Sequence, residues 1–222
     1  MTLKNILEQI YPTKQYNVII ADGRFPKDPH LHHLIENSAT TIACDGAVNK
    51  LLKHNMMPNY IIGDCDSISL KHYKQFEDRI IKIADQNHND LTKAVNLAVE
   101  KKLDNIIILG ATGIREDHTI ANIALLIKYQ TKINNIAIIS DYGIFTACIN
   151  PIEELPTIVG QQISLFTTNH DTIITCNELK WPLANYQFKS WENGTLNQAS
   201  NNHIKISCNN PVIIYRAFCI KN

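Results

Sequence analysis

Aspartate follows an apolar run four times in succession along this chain. The four places are Asp22-Gly23, Asp45-Gly46, Gly63-Asp64-Cys65-Asp66-Ser67 and Asp85-Gln86-Asn87-His88-Asn89-Asp90. A fifth apolar run leads into Gly110-Ala111-Thr112-Gly113-Ile114-Arg115. Turn chemistry accounts for any one of these, because Asp, Asn and Gly are turn formers. Four carboxylate-bearing turns after consecutive strands, all facing one edge, call for more. Carboxylate oxygens suit a hard cation, and magnesium binds through a few carboxylates plus the phosphates of a substrate. Asp64 and Asp66 are alternate residues leaving a strand, so both can point to one side. Capping of the next helix by Asp66 or Ser67 is the structural alternative. Asp90 stands where a helix opens, with Asn89 or Asp90 able to serve as N-cap, and Asp85 and Gln86 lie on the loop before it.

The glycine loop supplies the opposite charge. Gly110 and Gly113 let the backbone come close to a ligand. The helix beginning near Glu116 presents unsatisfied N–H groups to an anion, and Arg115 adds a planar cationic fork matched to phosphate oxygens. The loop follows neither G-x-x-x-x-G-K-[ST] nor G-x-G-x-x-G. Acidic edge and basic loop together describe a magnesium–polyphosphate site. Other clusters carry less. His30, His32 and His33 lack a matching Cys or carboxylate spacing and read as an exposed polar segment. His118, at a helix start, caps or packs, and no Ser-His-Asp or Cys-His set can be assembled.

The elements that must position these residues follow from the period of the apolar pattern. Short Ile- and Val-rich runs predict strands at 17–21, 40–44, 60–62, 79–83, 105–109 and 136–139. Helical patterns cover 47–54, 70–76, 91–101 and 117–129. This alternation implies an α/β, Rossmann-like, mostly parallel sheet with helices on both faces, whose ligands bind beyond the carboxyl ends of the strands. After Asn150-Pro151 the helical period stops. Short β-rich stretches at 162–166, 172–176, 203–207 and 212–215 predict a C-terminal antiparallel β-sandwich. The division falls at residue 148, giving domains 1–148 and 149–222.

Composition excludes several classes. Hydrophobic residues are 45% and charged residues 19%, too apolar for disorder. The 21 basic and 21 acidic side chains balance, leaving no basic footprint for nucleic acid. Residues 1–10 contain Glu8 and no long apolar stretch, so they are expected to be neither signal peptide nor membrane span. The six cysteines lack C-x-x-C spacing and read as small buried hydrophobes in a reducing, cytoplasmic setting.

The motifs also resemble those of one family. Pro58-Asn59-Tyr60-Ile61-Ile62-Gly63-Asp64-Cys65-Asp66-Ser67 is similar to the P-D-x-I-x-G-D-F-D-S segment of thiamine pyrophosphokinases. Cys44-Asp45-Gly46-Ala47-Val48-Asn49-Lys50 resembles their A-D-G-G-A-N-R, and Asp85 to Lys93 resembles D-Q-D-x-T-D-x-x-K. Gly110 to His118 is similar to G-A-T-G-G-R-x-D-H, and Leu179-Lys180-Trp181-Pro182-Leu183 more faintly to G-L-K-W/Y-x-L. The resemblance implies transfer of a pyrophosphoryl group from ATP to the hydroxyl of thiamine, giving thiamine diphosphate and AMP. It implies an N-terminal ATP-binding domain, with a C-terminal sandwich completing the thiamine site across a homodimer interface. Asp64, Asp66 and Asp90 would hold Mg2+. Asp45, Gly46, Gln86, Gly110, Thr112, Gly113, Arg115 and Asp117 would bind the nucleotide and its phosphates, and Ser200 and Asn201 would border thiamine. The chain departs from the pattern at Ala47, Lys50, Asn87 and Ile114. From the residues alone, another metal-dependent phosphohydrolase or nucleotide-sugar transferase, or a non-catalytic sensing module, is also compatible.

Overall fold

Runs of Ile, Val and Ala that are apolar on both faces suit strands covered by helices on either side of a parallel sheet. The structure, a computed structural model, describes residues 15–220 apart from 65–67, 69 and 86. These fall into two compact units. One comprises the described residues of Thr13–Asn122 and Lys132–Asp141, the other those of Ile123–Thr131 and Tyr142–Asn222.

The first unit carries six parallel strands: β1 (Asn17–Ile20), β2 (Thr40–Cys44), β3 (Tyr60–Gly63), β4 (Ile80–Lys82), β5 (Ile106–Leu109) and β6 (Ile136–Ser140). They lie in the order β6-β5-β1-β2-β3-β4. Ile19, Ile42, Ile61 and Ile108 are fully buried along its centre. Each strand falls within a residue or two of its expected position. The order reverses beside β1, which pairs with β2 on one side and β5 on the other. Such a switch point opens a crevice at the carboxyl ends of the strands.

Five helices accompany these strands: α1 (Pro29–Glu36), α2 (Ala47–Lys53), α3 (Leu70–Gln75), α4 (Asp90–Glu100) and α5 (Glu116–Gln130). Four of them match the helical pattern. The exception, α1, covers the three histidines, which the sequence marked only as an exposed polar segment. Its cause is local: Asp28 caps the helix by accepting from the His30 N–H, and Pro29 at the first position has its φ already set for a helix. Leu31 and Ile35, four apart, are the buried anchors. His30 and His33 are exposed, as expected, whereas His32 packs against the rings of Phe25 and His54.

The second unit is antiparallel. Strands β7 (Gly143–Cys148), β9 (Gln161–Thr167), β12 (Asn197–Gln198) and β14 (Val212–Ile220) lie in the order β12-β9-β14-β7. Strands β8 (Ile152–Pro156), β10 (Ile173–Cys176), β11 (Leu183–Gln187) and β13 (His203–Cys208) form the order β11-β10-β13-β8. Ile163, Leu165, Val212 and Ile214 from the first set share one core with Ile174, Cys176, Ile204 and Ile206 from the second. That is the expected sandwich, with β7, β8, β11 and β12 added to the four stretches legible in the sequence. Strand β11 escaped notice because only its first residue, Leu183, is buried.

Candidate functional site

A cleft of about 790 Å3 opens in the first unit, lined by residues at the carboxyl ends of β1, β2, β3 and β5 and by the start of α4. Its walls are built from contacts that dictate particular residue types. After β1, the Gly23 N–H donates to Gly110 O at 2.7 Å and the Arg24 N–H to Thr112 O at 2.8 Å. A Cβ on residue 23 would stand 2.3 Å from Gly110 O and 2.7 Å from Thr112 O, so only glycine lets the two loops dock. Lys50 of α2 locks the same loop. Its Nζ lies 2.6 Å from each of Asp22 O, Gly23 O and Asp22 Oδ1.

At the end of β3, Gly63 makes room for two carboxylates. A Cβ there would lie 2.9 Å from Asp45 Cβ and 3.4 Å from Asp90 Cγ. Asp45 is buried and takes a positive φ of 35° at the β2–α2 junction. Asn89, not Asp90, caps α4: its Oδ1 accepts from the Thr92 N–H at 2.9 Å. Asp90 is thereby available to the cleft, where its Oδ1 meets Lys93 Nζ at 2.9 Å. Lys93 is itself buried, and it lines the cleft with Asp64. Cys44 also reaches the cleft, but burial, reinforced by the charges of Asp90, Asp22 and Asp45, pushes its thiol well up and keeps it protonated.

The loop after β5 forms the basic side. Thr112, Ile114 and Arg115 line the cleft. Arg115 is oriented by Asp117, with Nε to Oδ1 at 3.1 Å and Nη2 to Oδ2 at 2.6 Å. This fork, with the His118 N–H, holds the Asp117 carboxyl down at about 2. Asp117 itself is not among the cleft-lining residues and acts on Arg115. Gly110 and Gly113 shape the loop with φ of +69° and +90°. Ile114 takes no positive φ, so its backbone does not require the glycine that the resembling motif has there. Asn122, buried at the base, donates to Ala111 O at 2.9 Å and accepts from Asn89 Nδ2 at 3.1 Å, tying this loop to the cap of α4.

The structure thus brings together Asp45, Gly46, Asp64, Asp90, Thr112 and Arg115 of the expected set. Asp66 and Gln86 lie outside the described residues. Asp85 is turned into its own loop, accepting from the Asn87 N–H at 2.8 Å and meeting His88 Nδ1 at 2.6 Å, which lowers its carboxyl. Asn87 is exposed and is not a cleft-lining residue. Ser200 and Asn201 belong to the second unit, where both are exposed and held through their backbones by Glu178 O and Thr157 Oγ1.

Among the described residues no three His, Cys, Asp or Glu side chains form a metal-holding group. The cleft-lining pair of Asp64 and Asp90 is nevertheless an all-oxygen, hard donor set. It fits a magnesium ion that completes its shell with substrate phosphates and water rather than a closed protein cage. The cleft-lining residues Lys50, His88, Lys93 and Asn122 were given no site role from sequence, although Lys50 and Lys93 close two of the resembling motifs. Lys93 had a usable signal, since it follows Asp90 by three on one helix face.

Two family models match in tandem. Residues 31–138 match "Thiamin pyrophosphokinase, catalytic domain", and residues 143–215 match "Thiamin pyrophosphokinase, substrate-binding domain". The chain belongs to the thiamin pyrophosphokinase family. Among curated thiamin pyrophosphokinases, that of Caenorhabditis elegans is 35% identical over 97 residues, 40% of this chain and 40% of the relative. The Bacillus subtilis enzyme is 32% identical over 114 residues, 50% of this chain and 53% of the relative. The chain therefore spans about half or less of these relatives in sequence. A crystal structure of the Bacillus subtilis thiamine pyrophosphokinase superposes with a TM-score of 0.76 at 25% identity, covering 91% of this chain and 99% of that one. The catalytic-domain match takes in Asp45, Asp64, Asp90 and Arg115, while Asp22 and Gly23 precede it. Ser200 and Asn201 fall within the substrate-binding match.

Proposed function

We propose that this chain transfers a pyrophosphoryl group from ATP to the hydroxyl of thiamine, giving thiamine diphosphate and AMP. The observation that carries the reading is the cleft itself, lined by Asp64, Asp90 and Lys93 together with Thr112 and Arg115, in a member of the thiamin pyrophosphokinase family. The thiamine oxygen attacks the β-phosphorus, the bond from that phosphorus to the α,β-bridging oxygen breaks, and AMP leaves. The hydroxyl proton passes to a carboxylate, with Asp64, Asp66 and Asp90 the candidates. Arg115, held by Asp117, meets the negative charge of the transferring group, and the α5 N-terminus adds N–H donors.

Asp64, Asp66 and Asp90 would hold Mg2+, which when bound neutralises phosphate charge and orients the polyphosphate. Asp45 and Gly46 would wall the nucleotide side, with Gln86 as a further nucleotide contact. The match to a substrate-binding domain supports a thiamine-contacting role for the second unit, with Ser200 and Asn201 as contacts. We further propose a homodimer working in a reducing cytoplasm, in keeping with free thiols at Cys44, Cys148, Cys176 and Cys208. No helix among the described residues is long and apolar enough to cross a membrane.

The test is direct. Incubated with ATP, Mg2+ and thiamine, the protein is expected to form thiamine diphosphate and AMP in equal amounts. ADP as the product, thiamine-independent hydrolysis, or neither product at high protein concentration overturns the reading.

A further inference from the structure

The second unit holds a feature that the proposed transfer does not use. Strand β7 ends at Cys148 and β13 ends at Cys208, 60 positions apart in the chain, and their sulfurs lie 3.6 Å from each other. The two strands belong to opposite layers of the sandwich, and both thiols border its shared core. A disulfide brings its sulfurs to about 2.05 Å, so closure needs an approach of roughly 1.5 Å, on the scale of a small side-chain rotation. Both are free thiols.

The two thiols are not equivalent. Cys148 is buried, its S–H donates to Asn150 O at 2.9 Å, and its sulfur also meets Cys208 Sγ in a contact where either thiol can donate. Cys208 is half-buried, less enclosed than Cys148. The S–H of Cys148 beside it lowers the Cys208 thiol, while the hydrogen bond to Cys208 and burial hold the Cys148 thiol up. The nucleophile toward a small oxidant is the thiolate that is both more populated and reachable. Cys176, by contrast, is buried on the same core with its thiol pushed up to about 12 by desolvation.

We propose that Cys148 and Cys208 form a reversible oxidation site, closing to an intramolecular disulfide under a peroxide or a low-molecular-weight disulfide. With a small disulfide, the Cys208 thiolate attacks one sulfur and expels one equivalent of small thiolate, leaving a mixed disulfide on Cys208. Cys148 then attacks the Cys208 sulfur, its proton passing to the second small thiolate as that leaves. Two protein thiols are oxidised and one small disulfide is reduced to two thiols. With hydrogen peroxide, Cys208 becomes a sulfenic acid with loss of water. Cys148 displaces a second water from it, and the pair gives up two electrons in all. The bond links β7 to β13, stapling one layer of the sandwich to the other. The inference stands on the second unit alone and does not depend on the reaction proposed for the cleft.

Oxidised glutathione is the probe. The reduced full-length protein is treated with it and its remaining thiols are alkylated. It is then digested with trypsin and a glutamate-specific protease, which cuts at Glu153 and Glu154 and so separates Cys148 from Cys176. The expected product is a Cys148–Cys208 linked peptide pair that dithiothreitol returns to two free peptides. In Cys148→Ser, a glutathione adduct should accumulate on Cys208. In Cys208→Ser, Cys148 should stay unmodified. The wild-type map alone suffices should either variant fold poorly. Full alkylation of both cysteines after oxidation, a linkage of either one to Cys65, Cys176 or Cys219, or a stable unresolved adduct on wild-type Cys208 would each overturn the proposal.

Discussion

Lys93 Nζ lies 2.9 Å from Asp90 Oδ1 within the first turn of α4, and the lysine is only 6% exposed although it faces a polar cleft. A long cation that is mostly buried against one carboxylate occupies one oxygen and leaves the other turned elsewhere. In the proposed reaction Lys93 therefore fixes which Asp90 oxygen is presented to substrate, and it brings a positive charge to the polyphosphate. Lys93→Met keeps the length of the side chain and removes the charge. Steady-state kinetics are expected to show kcat lower by about 100-fold, the scale for loss of one preorganised electrostatic contact. A rate within twofold of the parent would show that the pair is only structural.

Gly23→Ala tests the docking of the β1 and β5 loops. The added Cβ meets two backbone oxygens, Gly110 O at 2.3 Å and Thr112 O at 2.7 Å, and neither can rotate aside. Overpacking of this kind costs about 3 kcal/mol, or a Tm lower by roughly 6–12 °C for a chain of this size. Differential scanning calorimetry measures it. A Tm unchanged from the parent would mean that the two loops separate freely.

These two cases show why parts of the site were legible in the sequence and others were not. Strand ends could be read because Ile and Val runs stop at Asp-Gly or Gly-Asp, and a parallel sheet sends all such ends to one edge. Asp64 and Arg115 were found that way. Lys50 and Lys93 were not, because a lysine on a helix normally reads as a solvated face. The partners of Lys50, the Asp22 and Gly23 carbonyl oxygens, become visible only once α2 is docked beside the loop, whereas Asp90 stands three residues before Lys93 on one helix and their pairing was a local signal. Asn122 is similar: its two contacts lie 11 and 33 positions away, so nothing local signals them. In the second unit, one-sided strands such as β11 carry too weak an alternation to be recognised.

Asp117→Asn separates positioning from charge at the phosphate loop. The carboxyl titrates at about 2, below its ordinary value of 3.8, because Arg115 and the His118 N–H bond to its ionised form. A depressed carboxyl contributes stability above its ordinary value, and that contribution is lost as pH falls through about 2. Across pH 6–9 it is fully ionised, so Asp117 should add no inflection to the pH–rate profile. The asparagine variant is expected to raise the KM for ATP about tenfold, by loosening Arg115, with Tm unchanged because both side chains are largely exposed. A new inflection between pH 6 and 9 in the parent, assigned to Asp117 by its loss in the variant, would contradict this account.

Asp64→Asn addresses the metal directly. The amide keeps the shape of the carboxylate but gives up its negative charge, and magnesium selects hard anionic oxygens. Asp64 lines the cleft at the end of β3 and is only half-buried, so the fold should tolerate the exchange within about 1 kcal/mol. Turnover, in contrast, should be abolished. Ligand-induced stabilisation separates lost binding from lost chemistry. At concentrations a hundredfold above its dissociation constant, a ligand stabilises the parent by about 2.7 kcal/mol, a Tm rise of roughly 5–11 °C. ATP with Mg2+ should give that rise in the parent, and ATP with EDTA a smaller one. In Asp64→Asn the difference between the two conditions should shrink, because the site has lost a metal-holding oxygen. An undiminished Mg2+-dependent rise together with parental turnover would remove Asp64 from the metal site.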